Sequence, residues 1–261
     1  MQDTTTRRAL GMLVAGCLLA STAAAEDFRW QGVVAAGGAI EIKGVNGGIE
    51  AAGTGSSGPV EVTAAKKARR SNPEEVEIRV VEHAGGVTIC AVYPSRGAAA
   101  NVCTPGAGGR MQVRNNDVNV EFHVKVPAGV RFVGRTVNGG IEAVGLPADA
   151  EAYTVNGGVS VEAGGTIRAA TVNGGVDASF GRADWNGEIQ LKTVNGGIDV
   201  ALPSDAGAEL RAATVNGDIS TDFPITVQGR VTKRKLSGTI GSGGRQLALE
   251  TVNGGIEITK R

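Results

Sequence analysis

The sequence predicts an all-β fold, a single elongated parallel β-solenoid built of short stacked coils. Three observations predict it. The segment T-V-N-G-G-[IV] recurs at Thr136–Ile141, Thr154–Val159, Thr171–Val176, Thr193–Ile198 and Thr251–Ile256. It returns as T-V-N-G-D-I at Thr214–Ile219, and Gly44–Ile49 differs from it only in its first residue. Beyond residue 25, apolar residues alternate with polar ones, which is the period of a strand, and no helical period is found. Glycine is abundant, at 41 residues, while aromatic residues make up only 3 %. Such a chain fills its core with Val, Ile and Ala.

A turn of fixed sequence at short spacing implies equivalent, stacked units. The alternative is an antiparallel β-meander or sandwich, because Asn-Gly between apolar residues is a strong hairpin signal. Two arguments favour the solenoid. A two-residue hairpin at Asn138-Gly139 sets Gly140 opposite Val137 in the ladder, where glycine packs nothing. A meander also needs good turns but not the same turn each time, whereas stacked coils need corners that superpose.

The elements follow in chain order. Residues 1–25 read as a signal peptide: Arg7 and Arg8, then an apolar run from Ala9 to Leu19, then Ala23-Ala24-Ala25 as the cleavage site. Arg7-Arg8 also loosely fits a twin-arginine export signal. Val14-Ala15-Gly16-Cys17 resembles a lipobox, and lipidation of Cys17 is the alternative processing, the one route by which the chain is expected to touch a membrane. Removing residues 1–25 takes away two Arg and one Asp and leaves a net charge of −1. That balance gives no electrostatic reason to bind nucleic acid.

Residues 26–261 read as one solenoid domain, less regular over 26–126 and regular over 127–261. In the first part, alternation marks strands at Ala39–Lys43, Val60–Thr63, Val76–Val81, Gly86–Val92 and Val118–Val126. The basic run from Lys66 to Arg70 meets Glu74 and Glu75 at once and reads as an exposed loop. Cys90 and Cys103, thirteen positions apart, read as a disulfide in an oxidising compartment. In the second part the corner asparagines Asn138, Asn156, Asn173, Asn195 and Asn216 are spaced by 18, 17, 22 and 21 residues. Lys235–Ile240 reads as a decayed copy with Ser237 at the corner, which places it 21 residues after Asn216 and 16 before Asn253.

The corner sequence suits a sharp reversal, since Asn and Gly tolerate positive φ. Val137, Val155, Val172, Val194, Val215, Leu236 and Val252 are then expected to form one inward column, and Ile141, Val159, Val176, Ile198, Ile219, Ile240 and Ile256 a second. On this reading Val172→Asp abolishes folding and Asn173→Ser is tolerated. The structural turn residues Asn46, Asn138, Asn156, Asn173, Asn195, Asn216 and Asn253 are expected to stack as a side-chain ladder. The last repeat is expected to leave an open edge, either blocked by Lys260 and Arg261 or paired edge to edge with a second copy.

These motifs, together with Val124-Lys125-Val126-Pro127-Ala128-Gly129-Val130 leading into them, resemble a bacterial family of adhesin-like domains of unknown function with repeated T-V-N-G-x-[IV] segments. The resemblance covers most of the chain after residue 25. It implies a β-solenoid and an extracytoplasmic place, and it implies little about mechanism.

The chemistry expected from the residues is sparse. The position after the corner gives a mixed column of Glu50, Glu142, Ser160, Asp177, Asp199, Ser220, Gly241 and Glu257, in which only Asp177 and Asp199 are acidic in consecutive repeats. Such a column reads first as a solvated outer face. His83 and His123 carry no motif, and no nucleophile elbow, zinc signature, P-loop or dinucleotide fingerprint is present. Trp30 and Trp185 read as a cap and an outer contact. No catalytic, metal-ligating or cofactor-binding residue is assigned. The functional expectation is an exported, non-enzymatic adhesin-like scaffold or binding surface, periplasmic or secreted, with an envelope protein or glycan as partner. The alternatives are a glycan-active β-helical lyase or hydrolase and an envelope-stress accessory protein.

Overall fold

A computed structural model describes residues 28–95, 97, 99–227 and 232–261. Residues 1–25, expected to be a signal peptide, and Cys17 among them lie outside the described residues. The strands of the irregular part are β1 (Phe28–Gly32), β2 (Ala39–Lys43), β3 (Ile49–Gly53), β4 (Val60–Lys67), β5 (Glu77–His83), β6 (Gly86–Val92) and β7 (Asn119–Val126). The regular part begins with β8 (Arg131–Arg135), β9 (Ile141–Leu146), β10 (Ala150–Tyr153), β11 (Val159–Ala163), β12 (Ile167–Ala170) and β13 (Val176–Phe180). It continues with β14 (Ile189–Lys192), β15 (Ile198–Leu202), β16 (Ala208–Ala213), β17 (Ile219–Thr221), β18 (Ile225–Val227), β19 (Lys235–Ile240), β20 (Gln246–Glu250) and β21 (Ile256–Lys260).

These strands form two sheets over one core. The first, called A, has ten strands in the order β1-β4-β7-β3-β9-β11-β13-β15-β21-β17. The second, called B, has eleven in the order β18-β19-β16-β20-β14-β12-β10-β8-β2-β6-β5. In each regular coil a B strand runs into the T-V-N-G-G corner and continues as an A strand. Neighbouring coils pair in parallel, for example Val159 with Val176 and Ala150 with Ile167. The fold is therefore the all-β, parallel-stacked solenoid that the repeats imply. Val159, Val176 and Ile198 from sheet A meet Ile167, Ile189 and Leu191 from sheet B, all at most 1 % exposed.

The stack does not follow chain order. Its coils run β6–β7, β2–β3, β8–β9, β10–β11, β12–β13, β14–β15, β20–β21, β16–β17. The β2–β3 coil is tucked inside β6–β7, and the β20–β21 coil inside β16–β17. The last repeat thus has partners on both sides, Ile198 and Ile219 each pairing with Ile256. The expected open edge at Lys260 and Arg261 does not exist. Antiparallel strands close the ends instead: β4 on β7, β1 on β4 and β5 on β6 at one end, β19 on β16 and β18 on β19 at the other. The free side of β17 is met by Lys233, whose carbonyl accepts the Ile219 amide at 3.1 Å.

Two further expectations are corrected. Lys235–Ile240 is not a corner: it is β19, antiparallel to β16, with Ser237 opposite Arg211. Gly241 therefore leaves the outer column and lies in the turn after β19, at φ 54°. The valine column also faces the other way. Val137, Val155, Val172, Val194 and Val252 are 37–38 % exposed and Val215 is 55 % exposed. The inward residue is the preceding threonine, 4–6 % exposed in all six copies. Its hydroxyl donates to a glycine carbonyl of the adjacent coil, as Thr154 to Gly139 at 2.8 Å and Thr171 to Gly157 at 2.8 Å. Burying a hydroxyl is tolerated when it is hydrogen-bonded, and stacking supplies the acceptor.

Most corner glycines answer to stacking rather than to φ; Gly47, at φ 119°, and Gly174, at φ 158°, are the two at positive φ. Among the described residues the only non-glycine at positive φ is Asn115, so the corner asparagines do not use that region. A Cβ on Gly139, Gly157, Gly174, Gly196, Gly217 or Gly254 would stand 2.0–2.2 Å from a glycine carbonyl oxygen in the neighbouring coil. No side chain fits there. The second glycine is roomier, with 3.8 Å at Gly158, and the corresponding residue of another corner is Asp218.

Candidate functional site

The alternation of strand residues sends every second side chain of sheet A outward. Stacking then puts equivalent positions side by side. In stack order the first outward column reads His123, Glu50, Glu142, Ser160, Asp177, Asp199, Glu257, Ser220. Tucking the two coils changes the grouping that chain order suggests. Glu50 pairs with Glu142, and Glu257 joins Asp177 and Asp199 to make three consecutive carboxylates. His123 comes to lie beside Glu50, its Nδ1 3.0 Å from Glu50 Oε2. Nothing in the sequence places His123 there, because β7 reaches β3 only through the tucked arrangement.

Three shallow clefts run along this face. The first, about 560 Å³, is lined by Arg29, Glu50, Glu61, Thr63, His123, Lys125, Glu142 and the exposed Val144. Lys125 Nζ donates to Glu61 Oε2 at 2.9 Å on its wall. The second, about 380 Å³, shares Glu50 and Glu142 with the first and adds Ser160 and Asp177. The third, about 330 Å³, extends from Ser160 and Asp177 to Asp199, Thr259 and Arg261. There Arg261 Nη1 donates to Glu162 Oε1 and Ser179 Oγ, each at 2.7 Å. Partial burial raises the pKa of Asp177, and the neighbouring Asp199 carboxylate raises it further. The result is an open face whose floor is small or apolar and whose walls carry both signs of charge in fixed register.

The corner asparagines occupy a separate place. Asn138 donates Nδ2 to Asn46 Oδ1 at 2.9 Å. Asn156, Asn173 and Asn195 each repeat the bond to the rung before them at 2.8 Å. Asn253 donates to Asn195, and Asn216 to Asn253, both at 2.8 Å. This ladder, beside the exposed valines, is architecture: each rung is fixed by one Nδ2–Oδ1 bond to its neighbour.

On the opposite face the Cys90–Cys103 disulfide fastens a loop across β2. Lys43 Nζ donates to the carbonyls of Thr104 at 2.9 Å, Gly106 at 2.8 Å and Gly108 at 2.6 Å. Glu41, 5 % exposed, accepts from Thr88 Oγ1 at 2.9 Å, from the Gly106 amide at 2.8 Å and from Arg135 Nε at 3.0 Å. Burial lowers the Lys43 pKa, with Glu41 opposing the shift. Every charged group of this latch is satisfied internally, so it fixes the loop rather than offering a ligand site. The two histidines part company. His83 Nε2 lies 3.2 Å from Thr88 Oγ1 next to the latch, while His123 lines the first cleft. Trp185 is not an outer contact: it is 2 % exposed, with its ring 5.3 Å from Phe180. Trp30 is half-buried on the edge strand β1.

Among the described residues no group of three or more His, Cys, Asp or Glu side chains is arranged to hold a metal ion. No helix among them is long and apolar enough to cross a membrane.

Residues 138–259 match the family described as Toastrack DUF4097, a stretch that carries six of the seven corner asparagines. No curated protein matches the chain. Two solved structures are similar to it. One, a candidate cell-adhesion protein of Clostridium sporogenes, is 13 % identical with a TM-score of 0.48, over 90 % of this chain and 99 % of that one. The other, a candidate adhesin of Bacteroides fragilis, is 9 % identical with a TM-score of 0.33, over 90 % of this chain and 96 % of that one.

Proposed function

We propose that the chain is an exported, non-enzymatic β-solenoid that presents the outer face of sheet A as an adhesin-like binding surface at the cell envelope. The observation that carries this reading is the run of three connected clefts on one face. Their charged side chains are held at the strand spacing of about 4.8 Å by parallel stacking. Such a face suits an extended partner with its own repeat, an envelope glycan or a protein segment. The signal-like residues 1–25 motivate export. The sparse chemistry motivates a binding role: the carboxylates of the column share one open face and are not set apart across an enclosed cleft.

The test is a binding screen of the protein lacking residues 1–25 against purified envelope glycans and isolated envelopes, with product analysis alongside. Saturable binding without turnover is expected. Glu142→Lys on the cleft face weakens it several-fold, and Arg211→Glu on sheet B leaves it unchanged. Turnover of any glycan overturns the reading in favour of an enzyme. The raised pKa of Asp177 makes that residue the first to substitute in such a case.

A further inference from the structure

The tucked β20–β21 coil sits in a slot whose walls are joined without it. The β14–β15 coil on one side continues through Pro203–Gly207 into the β16–β17 coil on the other. That connector spans the thickness of the inserted coil. It is folded on its own terms, the Ala206 amide donating to the Pro203 carbonyl at 2.9 Å.

The corner contacts that fill the slot are those of every other coil. Thr251 Oγ1 donates to Gly196 O, and Thr214 Oγ1 to Gly254 O, each at 2.9 Å. Asn253 bridges Asn195 and Asn216 with the same 2.8 Å rungs found elsewhere. Gly254 approaches Gly196, and Gly217 approaches Gly254, as closely as any other stacked pair, with 2.0 Å to a Cβ. The slot therefore recognises the coil motif and not the particular chain that carries it. On its N-terminal side the coil is tied to β19 by Gly241–Arg245. Within it Gly241–Gly244 lie outside both sheets, with Gly241, Gly243 and Gly244 at φ 54°, 71° and 94°, while Arg245 is already seated, its carbonyl accepting the Glu209 amide at 2.6 Å. Glycine can leave those conformations for an extended path at little cost. Chain order adds a kinetic window. β14 to β19 precede β20–β21 in the chain, so the segments that make both walls of the slot are available before its own coil arrives.

We infer that the slot between the β14–β15 and β16–β17 coils accepts the β20–β21 coil of a second copy of this chain, so that two chains exchange these coils and close into a dimer. Every strand pair is kept in the exchange and only Gly241–Gly244 change path, the usual condition for swapping.

Cysteine pairing across one rung tests this directly. Parallel neighbours stand about 4.8 Å apart, within the Cα spacing a disulfide spans. One lot of the protein lacking residues 1–25, and so without Cys17, carries Asn195→Cys and a second carries Asn253→Cys. The two are unfolded with the native disulfide intact, mixed, refolded at high concentration and oxidised, and the links are mapped by mass spectrometry. A link between chains joining positions 195 and 253 is expected, well above that from a control mixture of Asn156→Cys with Asn173→Cys. Those two positions belong to coils that stack in chain order. Asn195→Cys with Asn253→Cys in one chain, refolded at high dilution where exchange is suppressed, should close internally and stay monomeric, which also reports that the rung is in place. Interchain links absent from the test mixture, or equally abundant in the control, overturn the proposal. Failure of the double variant to close removes the slot itself and overturns it as well. Deleting Gly243 and Gly244, which shortens the tether, should shift refolded protein toward dimer by light scattering.

Discussion

Within the corner, each residue has one job that stacking defines. Threonine turns its hydroxyl to the carbonyl of the next coil, valine faces solvent, asparagine joins the ladder, and the first glycine leaves room for a backbone. Val172→Asp is therefore expected to change stability by no more than about 1 kcal/mol, as for an exposed site. Val176→Asp, at a position 0 % exposed, should prevent folding by introducing a buried unpaired charge. Gly157→Ala sets a Cβ 2.2 Å from the Gly139 carbonyl and should cost about 1–3 kcal/mol or more from overpacking. Gly158→Ala, with 3.8 Å of room, should be nearly neutral. Chemical denaturation of the four variants checks all of these. Asp177 adds a pH signature. Its folded pKa is raised, so the folded state binds more protons than the unfolded chain between the two values, and stability falls as pH rises through that window. Asp177→Asn should raise Tm at pH 7 and lose that advantage at pH values below the ordinary carboxylate range. The valine and threonine roles were not legible in the sequence. Hydropathy ranks valine inside and threonine outside. What reverses them is the carbonyl of a neighbouring coil, a partner that exists only once the chain has stacked. The asparagine ladder was easier to foresee, because identical residues at identical corners must meet.

Among the elements, strands were legible wherever period two was clean. The Ala39–Lys43 and Gly86–Val92 expectations coincide with β2 and β6. Lys235–Ile240 mimics a corner because K-L-S-G-T-I has the phase of the repeat, while its backbone pairs antiparallel with β16. The carboxylate run Asp177, Asp199 and Glu257 was hidden for a different reason. The repeats are interchangeable, so sequence similarity cannot say which coil stacks on which. The disulfide loop is the clearest case of an element held by several independent ties: the Cys90–Cys103 bond, the three acceptors around Lys43 and the Gly106 amide on Glu41. Replacing both cysteines by alanine removes a closed loop worth about 3 kcal/mol in the chain-entropy picture. Lys43 and Glu41 should still hold the loop in place, so the variant is expected to keep a native fold with a lower midpoint in guanidinium. Loss of the folded baseline would show that the latch depends on the disulfide.

For the molecule as a whole, a solenoid is close to a one-dimensional array, in which each unit contacts only its neighbours and the terminal units are the weak ones. Here the terminal coils are the β6–β7 and β16–β17 coils, each covered by antiparallel strands on at least one sheet. Removing residues 246–261 empties the slot and leaves β16 and β17 without their parallel partners β20 and β21. Such a protein should melt at a distinctly lower temperature and expose β16–β19 to protease, while β8 to β15 remain protected in hydrogen exchange.

Tucking also has a mechanical meaning. Asn138 bonds to Asn46, 92 positions away, and Thr214 to Gly254, 40 positions away. The chain is hemmed at both ends, much as cloth is folded under so that it cannot unravel. Tension applied at residue 261 is delivered first to strands lying between two others, which must shear along both flanks together. A stack in simple chain order would unzip one coil at a time under the same load.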